Sequence, residues 1–495
     1  MMDTIYWHDY ETFGVDPRRD RPVQFAGQRT TLDLEPVGPP LTVMCRQTLD
    51  YLPHPGAALV TGLTPQQADR EGISEAEFAE QIVTQLGEPG TCGAGYNSLR
   101  FDDEVTRFLL FRSFYDPYER EWKNGNSRWD LIDVVRLCYA LRPDGLSWPQ
   151  REDGKPSFRL EHLTAANDIA HEGAHDALAD VRATIGLAQR LRRAQPRLFD
   201  YAFSHRGKRA ALAALDYVNA TPVLHVSARY SSERGCLALV APVCQHPDNS
   251  NGVCVVDLAQ HPEALLSLSA EDIADRVFTP SADLPEGIER IGLKTIAVNK
   301  APVLAPVSVL KGADLDRINL DPAACQAHRE LLLPHLAEVA AKVRKVFSRP
   351  HRSEPNAQVE WSLYGGSFPS DRDRRALTQV RRASPTELAD LAGGFDDPRY
   401  AELLFAYRAR NFPDSLSPED GERWIEECRR RLTAAQPSAI ERFGAALTRL
   451  REERPAPAQQ AILDAVDSWG RTVLRQLELE TWENVSEALT DDTSG

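Results

Sequence analysis

The segment WHDYETFG, residues 7–14, ends an apolar run with two acids separated by a single residue. Successive side chains of a β-strand alternate between its faces, so Asp9 and Glu11 would project from one face, about 6 to 7 Å apart. Carboxylates are preferred ligands of Mg²⁺ and Mn²⁺, and two divalent metals about 4 Å apart can activate a water and stabilise the leaving oxygen of a phosphodiester. A lone acid-x-acid pair is more often a strand end that faces solvent, so the rest of the chain must decide.

The composition is that of an ordinary soluble globular protein. A chain of 495 residues with 42% hydrophobic and 26% charged residues predicts two to four domains. The N-terminus has no basic segment before an apolar run, and no stretch approaches a membrane span, so we expect neither a signal peptide nor a membrane anchor. The eight cysteines form no C-x-x-C pair, which favours reduced thiols in the cytoplasm.

The net charge of −16 argues, on its face, against a nucleic-acid partner. The whole-chain charge is weak evidence, because an acidic metal site and an acidic tail can coexist with a basic groove. Arginine greatly outnumbers lysine, and its planar guanidinium suits bidentate contacts with phosphate.

A third carboxylate is predicted at the start of a helix. Short strands are expected at residues 22–29 and 41–45, helices after Thr64 and Ser74, and a small-residue strand near residues 92–95. In the next helix Asp102 shares a face with apolar residues three and seven positions later, so it lies on the inward edge, while Asp103 is rotated away. The alternative is an acid in the first helical turn favoured by the macrodipole, and it fits Asp103 equally well.

The segment from residue 107 to 148 mixes arginines with phenylalanine, tyrosine and tryptophan. Cationic and aromatic side chains together hold single-stranded nucleic acid by phosphate pairing and base stacking. Many of these aromatic residues belong to the core, and we expect two or three to meet bases.

A fourth acid and a histidine follow. Residues 157–163 begin a helix, and Asp176 is the predicted N-cap of a long helix that reaches about residue 193. His175 therefore lies just before that helix and Asp180 about one turn inside it. A histidine beside a helix-borne acid can act as a general base, although a single surface histidine usually has no such role.

Together these residues give the order D-x-E, D, H-x4-D, which resembles the DEDDh exonuclease superfamily. Residues 8–14, 95–97, 100–107, 126–131 and 157–163 more closely resemble the bacterial exonuclease I family, which degrades single-stranded DNA from the 3′ end. The similarity covers nearly the whole chain and is weakest at residues 200–295 and beyond about residue 475.

The resemblance implies an α/β protein with three domains. We expect a ribonuclease H-like mixed-sheet exonuclease domain at 1–195, an SH3-like β domain at 196–349 and a C-terminal helical domain with an acidic tail at 350–495. Short strands of the middle domain are predicted at 222–227, 254–258 and 296–304, and a helix of the last domain through 403–413.

The resemblance also implies roles for individual residues. Asp9, Glu11, Asp102 and Asp180 would hold two Mg²⁺ ions, for which Mn²⁺ can substitute, with Glu11 touching both metals and also contacting substrate. His175 would take the proton from the attacking water. Arg159 is expected at the scissile phosphate, and Arg107, Tyr118, Trp122 and Arg136 along the strand.

The implied activity is a 3′-to-5′ exodeoxyribonuclease that releases 5′-mononucleotides in DNA repair and recombination. A cytoplasmic, nucleoid-associated monomer is expected, with single-stranded DNA and the acidic tail of the single-stranded-DNA-binding protein as partners. Arg317, Arg372, Arg374 and Arg375 are candidates for the tail site. Spacing alone supports only metal-assisted phosphodiester hydrolysis, so a 3′-to-5′ exoribonuclease and a catalytically inactive single-strand-binding protein stay open as alternatives.

Overall fold

A computed structural model describes residues 3–171, 173, 176–348 and 358–483. We call residues 3–194 the N-terminal region, 196–348 the middle region and 358–483 the C-terminal region. The N-terminal region is built on a five-stranded mixed sheet in the order β3-β2-β1-β4-β5. Its strands are β1 (Thr4–Thr12), β2 (Pro22–Thr30), β3 (Leu41–Met44), β4 (Thr91–Gly95) and β5 (Ser127–Asp130). β1 pairs antiparallel with β2 and parallel with β4, and β4 pairs parallel with β5.

Seven α-helices surround this sheet. They are α1 (Pro55–Thr61), α2 (Pro65–Glu71), α3 (Glu75–Leu86), α4 (Asp102–Arg112), α5 (Leu131–Leu141), α6 (Leu160–Ala166) and α7 (Ala177–Ala194). Thr64 caps α2 by accepting a hydrogen bond from the Gln67 amide, and Ser74 forms a capping box with Glu77 at the start of α3. These local signals explain why the sequence predicts both helix starts.

The middle region contains a second, antiparallel sheet in the order β10-β6-β7-β8-β9. Its strands are β6 (Val223–Val226), β7 (Leu237–Gln245), β8 (Gly252–Asp257), β9 (Leu293–Ala297) and β10 (Leu304–Pro306). The predicted single strand at 296–304 is wrong, because β9 ends at Ala297, a turn follows and β10 begins at Leu304. The central strand β7 was not predicted: it is apolar and buried over nearly its whole length, so it shows no alternation.

Six helices complete the middle region, and the C-terminal region is helical. The middle helices are α8 (Pro196–Ser204), α9 (Lys208–Ala214), α10 (Glu263–Ser267), α11 (Ala270–Phe278), α12 (Pro322–Leu332) and α13 (Leu336–Phe347). The C-terminal helices are α14 (Asp371–Arg382), α15 (Pro398–Asn411), α16 (Pro418–Thr433), α17 (Ala439–Glu452) and α18 (Pro457–Gln476). Short 3-10 helices lie at Glu119–Glu121, Lys123–Gly125, Ser232–Arg234, Ser281–Asp283, Val307–Leu310, Leu333–His335, Val359–Trp361, Leu363–Gly365, Leu388–Gly394 and Pro413–Ser415.

Apolar cores cross the boundaries between the three regions. One buried cluster runs from Trp7 and Leu137 of the N-terminal region to Leu239 of the middle region. Another joins Phe13 to Trp424 of the C-terminal region. Because burial of apolar surface is the main favourable term in folding, the regions stabilise one another. Within the described part of the chain, no helix is long and apolar enough to span a membrane.

Candidate active site

Strand β1 presents the two acids of the opening motif at the interior of the first sheet. Asp9 is half-buried and Glu11 is buried, and they pair across the sheet with Ala26 and Gln24 of β2. Two carboxylates in a largely buried strand require a compensating partner, since a buried charge without one is costly.

Helix α7 brings the third acid to this strand. The side chain of Gln24 accepts a hydrogen bond from the Ala177 amide at 3.1 Å and donates to the Asp176 carboxylate at 3.5 Å. Asp176 caps the helix, as predicted, by accepting from the Ala179 amide at 3.0 Å. The residue opposite Glu11 therefore anchors the start of α7, and Asp180, one turn further, faces β1.

Asp9, Glu11 and Asp180 converge. One carboxylate oxygen from each residue lies within 4.8 Å of the other two. Burial, followed by the carboxylates of Asp102, Glu11 and Asp180, raises the pKa of Asp9 well above its usual range. Burial, followed by the carboxylate of Asp180, raises the pKa of Glu11 to about 9. Such mutual repulsion suits a divalent cation, which would neutralise the cluster, and the all-oxygen donor set fits a hard metal ion.

Asp102 borders this cluster and is held by the backbone of β1. Its Oδ1 accepts a hydrogen bond from the Tyr10 amide at 3.0 Å. Thr106 Oγ1, one turn along α4, donates to the Asp102 carbonyl at 2.8 Å and lies 3.0 Å from the Tyr10 hydroxyl. Asp102 is outside the group of three converging carboxylates, but it lies close enough to affect the pKa of both Asp9 and Glu11.

Asp103 points the other way, into a buried ion-pair cluster. Its two oxygens contact Arg120 at 2.6 Å and Arg128 at 2.9 Å. Burial alone would raise the pKa of Asp103, but these two guanidinium groups outweigh it and lower that pKa. The helical spacing thus predicted the rotation of Asp103 away from the site, while its arginine partners were not predicted.

The predicted base, His175, lies outside the described residues. A histidine that the sequence analysis did not single out, His171, contacts the cluster: its Nε2 lies 2.6 Å from Asp180 Oδ1 and its Nδ1 lies 3.0 Å from Thr164 Oγ1. Only its position in the loop before α7 could have indicated a role for His171, and a single loop histidine is weak evidence for a functional site.

Arg159 is the predicted phosphate contact, and its side chain is largely exposed. It is the N-cap residue of α6, and its guanidinium lies 3.9 Å from Glu161. The residue before it, Phe158, is fixed because its carbonyl accepts the hydroxyl proton of Tyr96 at 2.6 Å. The position leaves the guanidinium accessible to a ligand.

The four predicted strand-holding residues have different surroundings. Arg107 is buried, with donors directed at Glu104 and Glu121, and Arg136 is buried against Asp133 at 2.6 Å. These contacts favour structural roles for both arginines, and their binding roles stay predictions. By contrast, Trp122 is 64% exposed and Tyr118 is half-buried.

The C-terminal region adds aromatic residues to this surface that the sequence analysis missed. Phe368, 75% exposed, lies edge-on to Tyr118 with ring centroids 5.5 Å apart. Tyr364 donates its hydroxyl proton to Glu104, two residues after Asp102. A cavity of about 240 Å³ is lined by five aromatic residues, Phe111, Tyr118, Tyr364, Phe368 and Tyr400. Such contacts join residues some 250 positions apart, so local patterns could not reveal them.

Three family comparisons match successive parts of the chain. Residues 6–188 match the Exonuclease family, residues 206–349 the Exonuclease I SH3-like domain, and residues 357–473 the Exonuclease I C-terminal domain.

Individual relatives match over almost the full length. Exodeoxyribonuclease I of Escherichia coli strain K12 is 45% identical over 432 residues, which cover 87% of this chain and 90% of the relative. The zinc-bound E. coli Exonuclease I complex with single-stranded DNA superposes with a TM-score of 0.91 at 42% identity, covering 96% of this chain and all of that one. A complex of SSB and Exonuclease I with the inhibitor CFAM gives a TM-score of 0.87 at 41% identity, with the same coverage.

The identity to a curated relative, the order of the matched domains and the acidic cluster on β1 and α7 agree. The chain therefore belongs to the exonuclease I family of exodeoxyribonucleases.

Proposed function

We propose that this protein hydrolyses single-stranded DNA from its 3′ end, releasing 5′-mononucleotides, and acts in DNA repair and recombination. The observation that carries the proposal is the convergence of the Asp9, Glu11 and Asp180 carboxylates within 4.8 Å, with Asp102 beside them. The similarity to Exodeoxyribonuclease I supports DNA as the substrate.

The proposed cofactor is a pair of Mg²⁺ ions, which Mn²⁺ can replace. Asp9, Glu11, Asp102 and Asp180 would hold them, with Glu11 shared between both. When bound, the two ions supply the activation of a water and the stabilisation of the leaving oxygen in an in-line displacement.

The protein's own residues would position the substrate and move the proton. His175 accepts the proton of the attacking water, a role suited to a side chain that titrates near neutral pH. The exposed guanidinium of Arg159 binds the scissile phosphate, where its planar donors suit bidentate pairing. Tyr118 and Trp122 offer stacking surfaces to the bases, and Arg107 and Arg136 are the weaker candidates along the strand.

The proposed protein partner is the single-stranded-DNA-binding protein, bound through its acidic tail. The complex of SSB with Exonuclease I supports the pairing. Among the candidates, Arg317 lies 4.6 Å from the ring of Tyr139, and its Nη2 donates to the backbone carbonyls of Tyr139 and Ala140, while its Nε and Nη1 have no hydrogen-bond partner in the described structure. Arg372 and Arg374 are paired with Asp396 and Asp371. We therefore favour Arg317 over Arg372 and Arg374, and we test it against Arg375.

A tail peptide titrated against the purified protein tests this partner. We expect binding that weakens with salt and is lost in Arg317→Ala, while Arg375→Ala, at an exposed position of α14, keeps it. No binding at low salt would exclude the tail as the contact.

The activity is tested with end-labelled DNA and RNA oligonucleotides, single- and double-stranded, with products resolved by length. We expect Mg²⁺-dependent shortening of single-stranded DNA from the 3′ end to mononucleotides. Faster shortening of RNA would favour the exoribonuclease alternative, and binding without cleavage would favour an inactive single-strand-binding protein.

The proposed boundaries of the three domains are residues 1–195, 196–349 and 350–495, and we propose a nucleoid-associated monomer in the cytoplasm. The part of the acidic tail beyond Glu483 lies outside the described residues.

A further inference from the structure

The loop between strand β4 and helix α4, residues 96–101, has a site residue at each end. It leads into Asp102, the first residue of α4. Near its other end the Tyr96 hydroxyl donates to the Phe158 carbonyl at 2.6 Å, beside Arg159. The position of this loop therefore affects both the carboxylate that borders the acidic cluster and the proposed phosphate contact.

The loop needs an anchor from outside its own sequence. The N-cap residue of α4, Phe101, makes no side-chain capping hydrogen bond within the described part of the chain. Asn97 has a φ of 64°, in the left-handed region that few residues other than glycine adopt readily. A backbone of this kind persists where surrounding contacts hold it.

Asp130, the last residue of β5, supplies those contacts. It is buried, with 4% of its surface exposed. Its Oδ1 accepts hydrogen bonds from the amide of Asn97 at 2.8 Å and from that of Ile132 at 3.1 Å, and its Oδ2 accepts from the amide of Leu99 at 3.2 Å. The bond to Ile132 caps helix α5 and needs only one oxygen. The other two bonds tie the loop after β4 to the end of β5.

The anchored loop in turn holds the first turn of α4. The carbonyl of Ser98, which lies between the two anchored amides, accepts a hydrogen bond from the Asp103 amide at 2.9 Å. The preceding residue, Asp102, directs its carboxylate toward β1, where Oδ1 accepts from the Tyr10 amide at 3.0 Å. A continuous series of hydrogen bonds and backbone therefore runs from Asp130 to Asp102. Groups behind a metal ligand fix its orientation, and their loss typically costs about 10- to 100-fold in metal affinity or activity.

We propose that Asp130 is a positioning residue for the metal site. Its carboxylate holds the loop so that the Asp102 carboxylate can share the ions that bind beside Asp9, Glu11 and Asp180. Asp130 acts through the loop backbone and not by contact with the ions. The inference rests on the proposed function, since Asp102 is one of the proposed metal ligands.

The test measures metal binding directly. The full-length protein is titrated with Mn²⁺ at pH 8, and the free ion is counted by electron paramagnetic resonance. At this pH Asp130 is ionised, because burial, followed by the Asp133 carboxylate, raises its pKa to about 7. The variant is Asp130→Asn, whose side-chain oxygen can still accept from two of the three amides, so we expect it to fold.

The matched control is Asp133→Asn. Asp133 is an acid of α5 that pairs with the side chains of Arg100 and Arg136, so its replacement removes a nearby negative charge without releasing the loop backbone. It therefore separates the loss of a charge near the metal site from the loss of the anchor.

We expect Asp130→Asn to bind Mn²⁺ about 10- to 100-fold more weakly than the wild type. The Mg²⁺ concentration that half-saturates cleavage should rise in parallel. Affinity for an oligothymidylate in EDTA should stay near the wild-type value, because the role is not a substrate contact. Asp133→Asn should keep the wild-type Mn²⁺ affinity. If folded Asp130→Asn matches Asp133→Asn in Mn²⁺ affinity, the positioning role is overturned.

A second pair of variants decides the question if Asp130→Asn does not fold. Asn97→Ala disfavours the left-handed φ of 64° and so displaces the loop from an intact Asp130, whereas Asn97→Gly permits that φ. We expect weaker Mn²⁺ binding in Asn97→Ala than in Asn97→Gly, and equal affinities would overturn the inference. If the wild type neither binds Mn²⁺ nor cleaves single strands, the proposed function fails, and the positioning role fails with it. If the wild type does both and the variants keep its Mn²⁺ affinity, only the positioning role is overturned.

Discussion

Asp180 is the acid that completes the cluster on β1, and its replacement gives the most direct prediction. Asp180→Asn or Asp9→Ala should lower hydrolysis by more than about a hundredfold, since electrostatic terms of this kind contribute about 3 to 4 kcal/mol. Binding of single-stranded DNA should persist, because the residues outside the carboxylate cluster are unchanged. Rates from a gel assay and affinities by anisotropy measure both effects. Asp33→Asn, an exposed acid paired with Arg192, is the control, and activity above one hundredth of wild type in Asp180→Asn would argue against the metal assignment.

The second prediction concerns His175 as the acceptor of the proton from the attacking water. His175→Ala should lower the rate by roughly 10² to 10⁴, the usual contribution of general-base catalysis. Raising the pH should partly restore it by supplying hydroxide. His171→Asn removes the neighbour that contacts Asp180 at 2.6 Å and should show a smaller loss without recovery at high pH. A wild-type rate for His175→Ala at neutral pH would exclude it as the base.

The raised pKa of Glu11 has a consequence for stability. Burial, followed by neighbouring carboxylates, raises it from 4.5 to about 9, so between these values the folded protein holds a proton that the unfolded chain has lost. The metal-free protein should therefore lose stability as pH rises through this window. In EDTA, the Tm of Glu11→Gln should fall less between pH 5 and 9 than that of the wild type or of Glu330→Gln, an exposed control on α12. Mg²⁺ should raise the wild-type Tm at pH 8. Parallel pH profiles for Glu11→Gln and the wild type would contradict the assignment.

Single residues were predictable where a periodic element fixed their direction. Asp9 and Glu11 follow from strand alternation, and Asp180 from the capped start of α7. His171 and Gln24 were not predicted, because their roles depend on contacts across the fold rather than on spacing.

The first turn of helix α4 carries two adjacent acids whose side chains point into different surroundings, and we expect one to serve activity and the other stability. Asp102 faces the β1 cluster, while Asp103 lies between Arg120 and Arg128. Asp102→Asn should lose activity with little loss of stability. Asp103→Asn leaves two buried guanidinium groups without their shared carboxylate, which typically costs about 3 to 5 kcal/mol. Denaturant unfolding measures stability and the nuclease assay measures activity. Equal stability of the two variants would contradict the described orientation of Asp103.

Among the elements, those with local start signals were predicted best. The capping residues of α2, α3 and α7 are visible in the sequence. β7 was missed and the boundary between β9 and β10 was misplaced, because strands buried on both faces lack an alternating pattern and turns without glycine give weak signals.

The three regions share apolar cores, so the middle and C-terminal regions cannot be removed without exposing buried surface of the N-terminal region. The apolar clusters that cross both boundaries would be exposed by truncation near residue 193. A truncated protein would then lose stability together with any contribution of the later regions to processivity, so truncation cannot isolate that contribution. A substitution at the contact between regions is the better test.

A buried ion-pair network links the N-terminal and C-terminal regions, and its residue Glu360 is suited to such a substitution. Glu360 of the C-terminal region contacts Arg21 at 2.7 Å and Arg431 at 2.9 Å, and also pairs with Arg410. Asp50 of the N-terminal region contacts Arg410 at 2.6 Å. Removal of one carboxylate leaves these arginines partly uncompensated and weakens the attachment of the C-terminal region.

If the C-terminal region helps to enclose the strand, Glu360→Gln should make the enzyme less processive without changing its chemistry. We expect near-native cleavage of very short oligonucleotides, but release of long single strands after few cuts when an unlabelled trap is added. The intact protein should carry one strand through many cycles and reject duplex ends, because an enclosed groove admits one strand. Glu478→Gln, which removes an exposed ion pair with Arg429, should retain the wild-type ladder, since exposed pairs contribute little. Thermal unfolding at the assay temperature verifies that Glu360→Gln is folded. If its product ladder under trap conditions matches that of Glu478→Gln, attachment of the C-terminal region does not govern processivity, and that region serves partner binding instead.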